Sequence, residues 1–178
     1  ITGSRGSGKS HLVNNMLTHM SGSFNLLQSH RTDTPQVVIK SNLVADNKEF
    51  VIGVPRTSGI NPASKGNNMT IIEDGFINCA IPAIDTHLDT TPERLFVIDE
   101  LGYLESSCIP FQKAVEKLLD NSHVLAVIRK QSTEFLNRIC NRKDVLVIDI
   151  DNTFETLSCI IMASGMSKRF GSNKLITD

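Results

Sequence analysis

The first ten residues contain a glycine-rich segment whose spacing suits the binding of a phosphate chain. Residues 3–10 are Gly-Ser-Arg-Gly-Ser-Gly-Lys-Ser, which satisfies the pattern G-x-x-x-x-G-K-[ST]. Glycines permit a tight turn whose backbone N–H groups close around phosphates, at a helix N-terminus that already favours negative charge. Lys9 is expected to bridge the β- and γ-phosphates, and the Ser10 hydroxyl to bind Mg²⁺. The predicted nucleotide-binding residues are Gly3, Ser4, Arg5, Gly6, Ser7, Gly8, Lys9 and Ser10.

Two acidic residues follow an apolar run, an arrangement that suits metal and water binding beside the phosphate loop. Residues 95–98 are Leu-Phe-Val-Ile, and Asp99 and Glu100 come directly after them. Such a run is typical of a buried parallel strand. Asp99 is predicted to hold Mg²⁺ together with Ser10. Glu100 is predicted to orient or deprotonate the water that attacks the γ-phosphate, which makes Glu100 and Lys9 the predicted catalytic residues.

Three further charged residues are secondary candidates for the same site. Arg129 and Lys130 follow the next apolar strand, where a cation could neutralise charge on the γ-phosphate, although a basic pair after a strand is usually solvated. Glu105 is a third acid near Asp99 and Glu100, and it has the same two interpretations.

Cysteines and histidines are scattered, and their spacing indicates neither a metal site nor a redox motif. No C-x-x-C pair is present among the four cysteines, and no H-x-x-x-H pattern among the five histidines. We interpret the histidines as surface or packing residues. Small buried or half-buried thiols are expected at Cys79, Cys108, Cys140 and Cys159.

The elements that must position these residues alternate between strand and helix with short links. Helices are predicted from Lys9 to near Gly22, from Pro82, over 111–119 and over 135–140. Strands are predicted over 95–98, 124–128 and 145–150. A hairpin is predicted over 36–54, and a loop over 55–69. The first helix carries an apolar stripe at Leu12, Val13, Met16 and Leu17. This alternation predicts an α/β fold of the P-loop NTPase kind, with a mostly parallel sheet, helices on both faces and a β-hairpin insertion.

Composition limits the classes of function. The chain has 178 residues, 40% of them hydrophobic, which is enough for one full core. The formal net charge of -1 offers no broad positive field for DNA or RNA, so no nucleic-acid partner is expected. No run approaches the roughly 20 apolar residues of a membrane span, and no secretion signal opens the sequence. We therefore expect a cytoplasmic protein without a membrane partner.

The acidic segment also carries a resemblance. Residues 97–105 are Val-Ile-Asp-Glu-Leu-Gly-Tyr-Leu-Glu, and with the phosphate loop they resemble a family of small P-loop nucleoside-triphosphatases known from thermophiles and humans. That family carries a DEIG-x-ME segment, from which Leu101 and Leu104 depart by replacing Ile and Met. The resemblance spans residues 1–157. It implies Mg²⁺-dependent hydrolysis of several nucleoside triphosphates to diphosphate and phosphate, with loose base preference.

A second resemblance lies at residues 159–175. This stretch is similar to the opening of a molybdenum-cofactor nucleotidyltransferase, which has an apolar strand followed by A-A-G-x-S-x-R-M-G-x-x-K. Its nucleotide signature falls on Gly165, Ser167, Arg169 and Lys174. The resemblance implies an incomplete second domain at 158–178, a junction near Thr156, and partners among molybdenum-cofactor pathway proteins. Because only Ile1 and Thr2 precede the phosphate loop, we also expect a shortened first strand.

Three alternatives remain beside an NTPase. A GTP-dependent switch would use D-x-x-G at residues 99–102, but it needs N-K-x-D for guanine, and residues 47–50 are Asn-Lys-Glu-Phe. A small-molecule or nucleotide kinase would use an arginine-rich lid, and the 56–68 loop holds one arginine. The third alternative is a binding module without hydrolysis, which an intact Glu100 disfavours.

Replacing the loop lysine tests the phosphate-loop interpretation. We expect Lys9→Ala to abolish tight triphosphate binding, because the only other charge in the loop belongs to Arg5, at a position that the motif leaves free. The measurement is titration with a fluorescent triphosphate. Binding equal to that of the parent protein would show that the phosphate-loop assignment is wrong.

Overall fold

Seven strands form one mixed sheet in the part of the chain that the computed structural model describes, residues 1–20, 23–56 and 69–151. The strands are β1 (Thr2–Gly3), β2 (Phe24–Arg31), β3 (Val37–Ser41), β4 (Phe50–Pro55), β5 (Met69–Ile71), β6 (Leu95–Leu101) and β7 (His123–Arg129). The helices are α1 (Lys9–His19), α2 (Glu73–Gly75), α3 (Ile81–Thr90), α4 (Ile109–Asn121) and α5 (Glu134–Cys140). A π-helical segment, Phe76–Ala80, joins α2 to α3.

The strand order is β1-β7-β6-β2-β3-β4-β5. Strands β1, β7, β6 and β2 are parallel, and β3, β4 and β5 continue the sheet in antiparallel fashion. The predicted α/β fold is confirmed, and the predicted hairpin is the pair β3 and β4. Since the carboxyl ends of parallel strands meet at one edge, the last residues of β1, β7, β6 and β2 lie near one another.

Helices cover both faces of the sheet, as the alternation predicts. On one face, Val13 of α1 packs with Val97 of β6 and Val127 of β7. On the other face, the helices after β5 cover a larger core that includes Phe96 and Ile98 of β6. Successive side chains of a strand point to opposite faces, so β6 supplies both clusters in turn. The remaining aromatic residues of the larger core are Phe76, Phe111 and Phe135.

Strand β2 was not predicted from the sequence, although it lies in the middle of the sheet. Its three apolar side chains occupy the first four residues, and Gln-Ser-His-Arg completes the strand. Asn25 is buried, and its amide nitrogen lies 2.8 Å from His87 Nδ1 and 2.8 Å from Thr91 Oγ1. A buried polar side chain is tolerated when it is paired, so this central strand has only a weak hydrophobic signal.

The predicted strand over 145–150 is wrong in extent. This segment lies beside β1, but it forms only one β-bridge in the described residues, between Thr2 and Asp149. The Thr2 amide donates to the Ile148 carbonyl at 2.8 Å, and the Ile150 amide donates to the Thr2 carbonyl at 3.0 Å. Because β1 spans only Thr2–Gly3, the pairing does not extend into a ladder.

Two helix predictions also change. Helical structure begins at Glu73, not at Pro82, and Pro82 lies in the first turn after the π-helical segment, where a missing N–H is tolerated. In α1, Val13 is buried, whereas Leu12 and Met16 are 37% and 41% exposed. The helix therefore contacts the sheet along a narrower strip than its apolar stripe predicts. The other predicted helices and strands lie within α4, α5, β6 and β7.

Several predictions fall outside the described residues. They are the possible lid over residues 56–68 except for its first residue, the junction near Thr156, and the second-domain signature at Gly165, Ser167, Arg169 and Lys174. These stay predictions. In the described part of the chain, none of the helices has the length and apolar character needed to cross a bilayer.

The contact between α2 and β4 yields a test of the packing. Gly75 is buried, and a Cβ added there would press on the Val51 carbonyl oxygen and lie 2.7 Å from Ile52 Cγ2. Alanine normally favours a helix over glycine by about 1 kcal/mol, but overpacking costs roughly 1–3 kcal/mol. We expect Gly75→Ala to lower the free energy of unfolding in urea, while Asp74→Ala on the exposed side of α2 changes it little. A more stable Gly75→Ala protein would contradict this packing.

Candidate functional site

The loop between β1 and α1 needs its glycines for two different reasons. Gly6 and Gly8 have φ angles of 79° and 89°, a region that residues with a Cβ seldom adopt. Gly3 has an ordinary backbone, but a Cβ there would lie 2.7 Å from Ser7 Oγ and 2.8 Å from Ile150 Cγ1. The first reason concerns the turn and the second concerns close packing behind the loop.

Lys9 is the first residue of α1, and its ammonium folds back over the loop. Its Nζ donates to the Gly3 carbonyl at 3.0 Å and to the Ser4 carbonyl at 2.6 Å. The helix begins with the Leu12 amide donating to the Gly8 carbonyl at 2.9 Å, which leaves the amides of the first turn directed into the loop. Free amides and an ammonium together suit the binding of a polyphosphate.

Asp99 of β6 lies against the start of α1. Ser10 Oγ donates to Asp99 Oδ1 at 3.2 Å, so the two predicted metal ligands are adjacent. The other carboxylate oxygen, Oδ2, accepts a hydrogen bond from Gln28 Nε2 of β2 at 3.1 Å. Gln28 thereby fixes the orientation of the carboxylate. One carboxylate and one hydroxyl form an oxygen donor set of the kind that Mg²⁺ uses beside substrate phosphates.

Glu100 adopts an unusual backbone conformation that turns its carboxylate toward β7. Its φ angle is 88°, and the register between β6 and β7 shifts between Ile98 and Leu101. Glu100 Oε1 forms an ion pair with Nε of Arg129, the last residue of β7. The structure therefore brings together the predicted water-orienting carboxylate and one of the two secondary cations.

Lys130 points elsewhere. Its Nζ forms ion pairs with Asp149 Oδ2 at 2.8 Å and Asp151 Oδ2 at 3.1 Å. Asp151 also accepts hydrogen bonds from the Ser4 amide at 2.7 Å and the Ser4 hydroxyl at 3.0 Å. Hydrogen bonds from Lys130 lower the pKa values of both aspartates. Lys130 thus contacts the phosphate loop through Asp151.

Glu105 is buried beneath the turn that follows β6. Its Oε2 accepts a hydrogen bond from the Gly102 amide at 2.9 Å, and Oε1 lies 3.5 Å from the Ser29 hydroxyl. Burial raises the pKa of Glu105 to about 7, against the lowering effect of hydrogen bonds from the backbone amides of Glu105 and Gly102. The nearby charges of Glu100, which raises this pKa, and Arg129, which lowers it, have smaller effects. Glu105 therefore holds the turn that fixes the end of β6.

A cavity of about 180 Å³ opens beside this turn. Its lining shares Glu100 and Arg129 with the site described above, and it adds side chains from the end of β2 and from the Gly102–Glu105 turn. The full lining is Arg5, Ser29, His30, Arg31, Val37, Glu100, Gly102, Tyr103, Leu104, Glu105 and Arg129.

The described cysteines have the burial that the sequence analysis predicts. Cys79 and Cys108 are buried, Cys140 is half-buried, and Cys159 lies outside the described residues. Burial raises the pKa of Cys79 to about 11, so this thiol stays protonated near neutrality. His87 is a packing residue whose pKa is lowered by burial. In the described part of the chain no cluster of metal-ligating side chains has three members.

Four residues of this region were missed by the sequence analysis. Gln28, Ser29 and Arg31 belong to β2, which was not predicted, so their place at the strand edge had no signal. Asp151 follows the segment predicted as the last strand, and an acid directly after a strand could have been considered a candidate there.

Comparisons with known proteins identify one sequence family and a shared fold. A sequence model described as NTPase matches residues 1–158. The nucleoside-triphosphatase THEP1 of Thermotoga sp. (strain RQ2) is 27% identical over 154 residues, covering 85% of this chain and 84% of that protein. The crystal structure of THEP1 from the hyperthermophile Aquifex aeolicus has a TM-score of 0.66 at 17% identity, covering 86% of this chain and 91% of that one. The solution structure of a human cancer-related nucleoside triphosphatase has a TM-score of 0.60 at 18% identity, covering 85% and 88%.

The raised pKa of Glu105 gives a test of its burial. The carboxyl binds a proton more tightly in the folded protein, with a pKa of about 7, than in the unfolded chain, with an ordinary value of 4.5. The free energy of unfolding should therefore decrease as pH rises between these two values, by on the order of 3 kcal/mol. Glu105→Gln should remove this decrease, while the exposed control Glu93→Gln retains it. Urea unfolding at pH 5 and pH 8 measures both, and an unchanged pH dependence in Glu105→Gln would contradict the assignment.

Proposed function

Because this chain belongs to the NTPase family, whose sequence model matches residues 1–158, we propose that it hydrolyses nucleoside triphosphates to diphosphate and phosphate with Mg²⁺. The observation that carries the proposal is the position of two carboxylates at the end of β6. Asp99 contacts Ser10 of the phosphate loop, and Glu100 contacts Arg129 of the neighbouring strand. These contacts support a metal-binding role for Asp99 and a water-orienting role for Glu100.

Triphosphate binding is assigned to the loop and the first turn of α1. We assign phosphate binding to backbone amides among residues 4–10 and to Lys9, whose ammonium lies over the loop. The positive φ angles of Gly6 and Gly8 give the turn that directs these amides inward. The Ser4 amide donates a hydrogen bond to Asp151, so this amide is not assigned to a phosphate. The Ser7 amide donates to the Ser4 carbonyl at 3.3 Å. The other amides of the loop and the Lys9 ammonium bind the β- and γ-phosphates.

Mg²⁺ fits the residues at the start of α1. The Ser10 hydroxyl and Asp99 Oδ1 are 3.2 Å apart, and Gln28 keeps the carboxylate turned toward the hydroxyl. These two residues would hold the ion, which supplies charge neutralisation for the phosphate oxygens when bound. Oxygen donors without thiolate or imidazole favour magnesium over softer metals.

Glu100 is assigned the orientation of the attacking water. Its carboxylate lies in the cavity wall beside Arg129, at the same edge of the sheet as the loop. Asp99 is engaged by Ser10 and Gln28 on both oxygens, so among these neighbours Glu100 has the carboxylate suited to accept the proton of the water. Arg129 holds that carboxylate in place and adds positive charge where negative charge develops on the γ-phosphoryl group.

We propose loose base preference for the same site. The sequence lacks N-K-x-D in the hairpin turn at residues 47–50, and the printed name of the Thermotoga relative, nucleoside-triphosphatase, specifies no base. The residues assigned above bind the phosphates, the metal and the attacking water, and none of them is assigned to the base.

The decisive experiment replaces Glu100 by Gln and measures affinity and turnover separately. Triphosphate affinity depends on the loop, Lys9 and the metal ligands, so it should change little. Phosphate release at saturating Mg²⁺-triphosphate should fall by roughly 10²-fold or more, the contribution of a positioned base. Glu93→Gln is the matched control, since it makes the same substitution at an exposed residue just before the opposite end of β6.

The assay uses each of the four common nucleoside triphosphates, with and without Mg²⁺. Near-normal phosphate release by Glu100→Gln would refute the proposed mechanism. It would favour a kinase, whose background hydrolysis loses little from this change, or a switch, in which another group orients the water. A loss of release in Glu93→Gln as well would indicate a general effect of the substitution on folding.

A further inference from the structure

The cavity beside the Gly102–Glu105 turn carries more positive charge than the triphosphate site accounts for. Three arginines line it, Arg5, Arg31 and Arg129, together with two acids, Glu100 and the buried Glu105. Burial raises the pKa of Glu105 to about 7, so this carboxyl is only partly charged near neutral pH. Arg129 is paired with Glu100. In residues 1–20, 23–56 and 69–151, no carboxylate lies within ion-pair distance of the other two, which are exposed. Two uncompensated cations at one small cavity favour an anion.

The cavity adjoins the γ-phosphate end of the site but is not the phosphate loop itself. Arg5 at the tip of the loop and Glu100 belong to its wall, whereas Lys9, Ser10 and Asp99 do not line it. The opposite wall comes from the end of β2, where Ser29 and Arg31 lie. A group in this cavity would therefore meet the γ-phosphate from the side on which Glu100 lies.

Tyr103 supplies a neutral hydrogen-bond donor to the same space. It is half-buried, and burial raises the pKa of its phenol, against the lowering effect of Arg129 and Arg31. The hydroxyl therefore stays protonated at neutral pH. Guanidinium groups and a hydroxyl together can donate several hydrogen bonds to tetrahedral oxygens, and arginine's planar fork suits phosphate in particular.

We propose that this cavity binds a phosphate group that is not part of the intact triphosphate held by the phosphate loop. Its volume of about 180 Å³ exceeds many times the roughly 10–15 Å³ that one water molecule requires. The proposal rests on the proposed function, because it names the ligand that occupies the space beyond the γ-phosphate during the reaction.

The phosphate group has two chemical sources. In hydrolysis, a water oxygen bonds to the γ-phosphorus, the bond to the β-phosphate oxygen breaks, the water proton passes to Glu100, and inorganic phosphate is released next to the cavity. In transfer, the hydroxyl oxygen of a phosphorylated small molecule makes the same attack, its proton passes to Glu100, and its own phosphate occupies the cavity. Both sources place a phosphate against Arg5 and Arg31.

The test measures phosphate binding while the triphosphate site is filled. The protein is saturated with Mg²⁺ and a non-hydrolysable triphosphate analogue, then titrated with inorganic phosphate in a calorimeter. We expect one phosphate per chain in the parent protein. Arg31→Ala should weaken phosphate binding about tenfold, the usual scale of one lost charge-assisted contact. Arg94→Ala, which removes an exposed arginine at the other end of the sheet, should leave it unchanged.

Two further variants keep the result interpretable. Arg31→Lys retains the charge, so it should weaken phosphate binding less than Arg31→Ala, and Tyr103→Phe should weaken it without any change of charge. Absence of phosphate binding to the filled parent protein would overturn the proposal, as would equal weakening by Arg31→Ala and Arg94→Ala. Because the analogue is not hydrolysed, these outcomes are independent of whether the protein is an NTPase.

A label-transfer assay distinguishes the two sources once binding is found. The protein is incubated with γ-labelled triphosphate and either nucleoside monophosphates or sugar phosphates. Label in an organic product that Arg31→Ala reduces would identify a phosphorylated acceptor. Label in inorganic phosphate alone, with phosphate inhibiting hydrolysis less in Arg31→Ala than in the parent protein, would identify the released product as the occupant.

Discussion

The parallel pairing of β1, β7, β6 and β2 determines where every group of the candidate site lies. In this pairing the phosphate loop leaves β1, Arg129 ends β7, and Asp99 and Glu100 lie at the end of β6. Strand β2 adds Gln28 beside Asp99. No single helix or loop contains these residues, and Gly3 and Arg129, which pair across β1 and β7, are 126 positions apart in the chain. Their proximity therefore depends on the sheet and on the cores that hold its two faces.

The conformation of Glu100 shows how the packing of β6 supports a locally unfavourable backbone. A φ of 88° at a residue other than glycine costs roughly 1–3 kcal/mol. The ion pair with Arg129 is partly exposed and contributes at most about 1 kcal/mol, so it does not offset this cost by itself. Ile98 and Leu101 on either side are almost fully buried, and each contributes roughly 1.5–3 kcal/mol. Burial of the strand, with Glu105 bonded to Gly102, keeps Glu100 in place.

A feature could be predicted from the sequence when the residues that reveal it are close together in the chain. The phosphate loop and the pair Asp99 and Glu100 are contiguous patterns next to apolar runs, so their types and their strand-end positions were readable without the fold. Strand β2 was missed because its buried Asn25 is compensated by His87, some sixty residues away, and no local pattern records that partner. Gln28 was missed for the same reason, because it belongs to β2. The strand over 145–150 was overestimated because apolar composition does not reveal how long its neighbour is.

The two cations at residues 129 and 130 show how the sheet gives adjacent residues different surroundings. Arg129 ends β7 and faces Glu100 in the cavity wall, whereas Lys130 contacts Asp149 and Asp151. Asp151 also accepts hydrogen bonds from Ser4, so the negative charge of Asp151 lies against the loop, where Lys130 neutralises it. Arginine side chains gather in front of the loop, around the cavity. A net charge of -1 for the whole chain does not describe this separation. The site obtains a local positive field from the placement of a few side chains, and a small phosphate compound can respond to such a field.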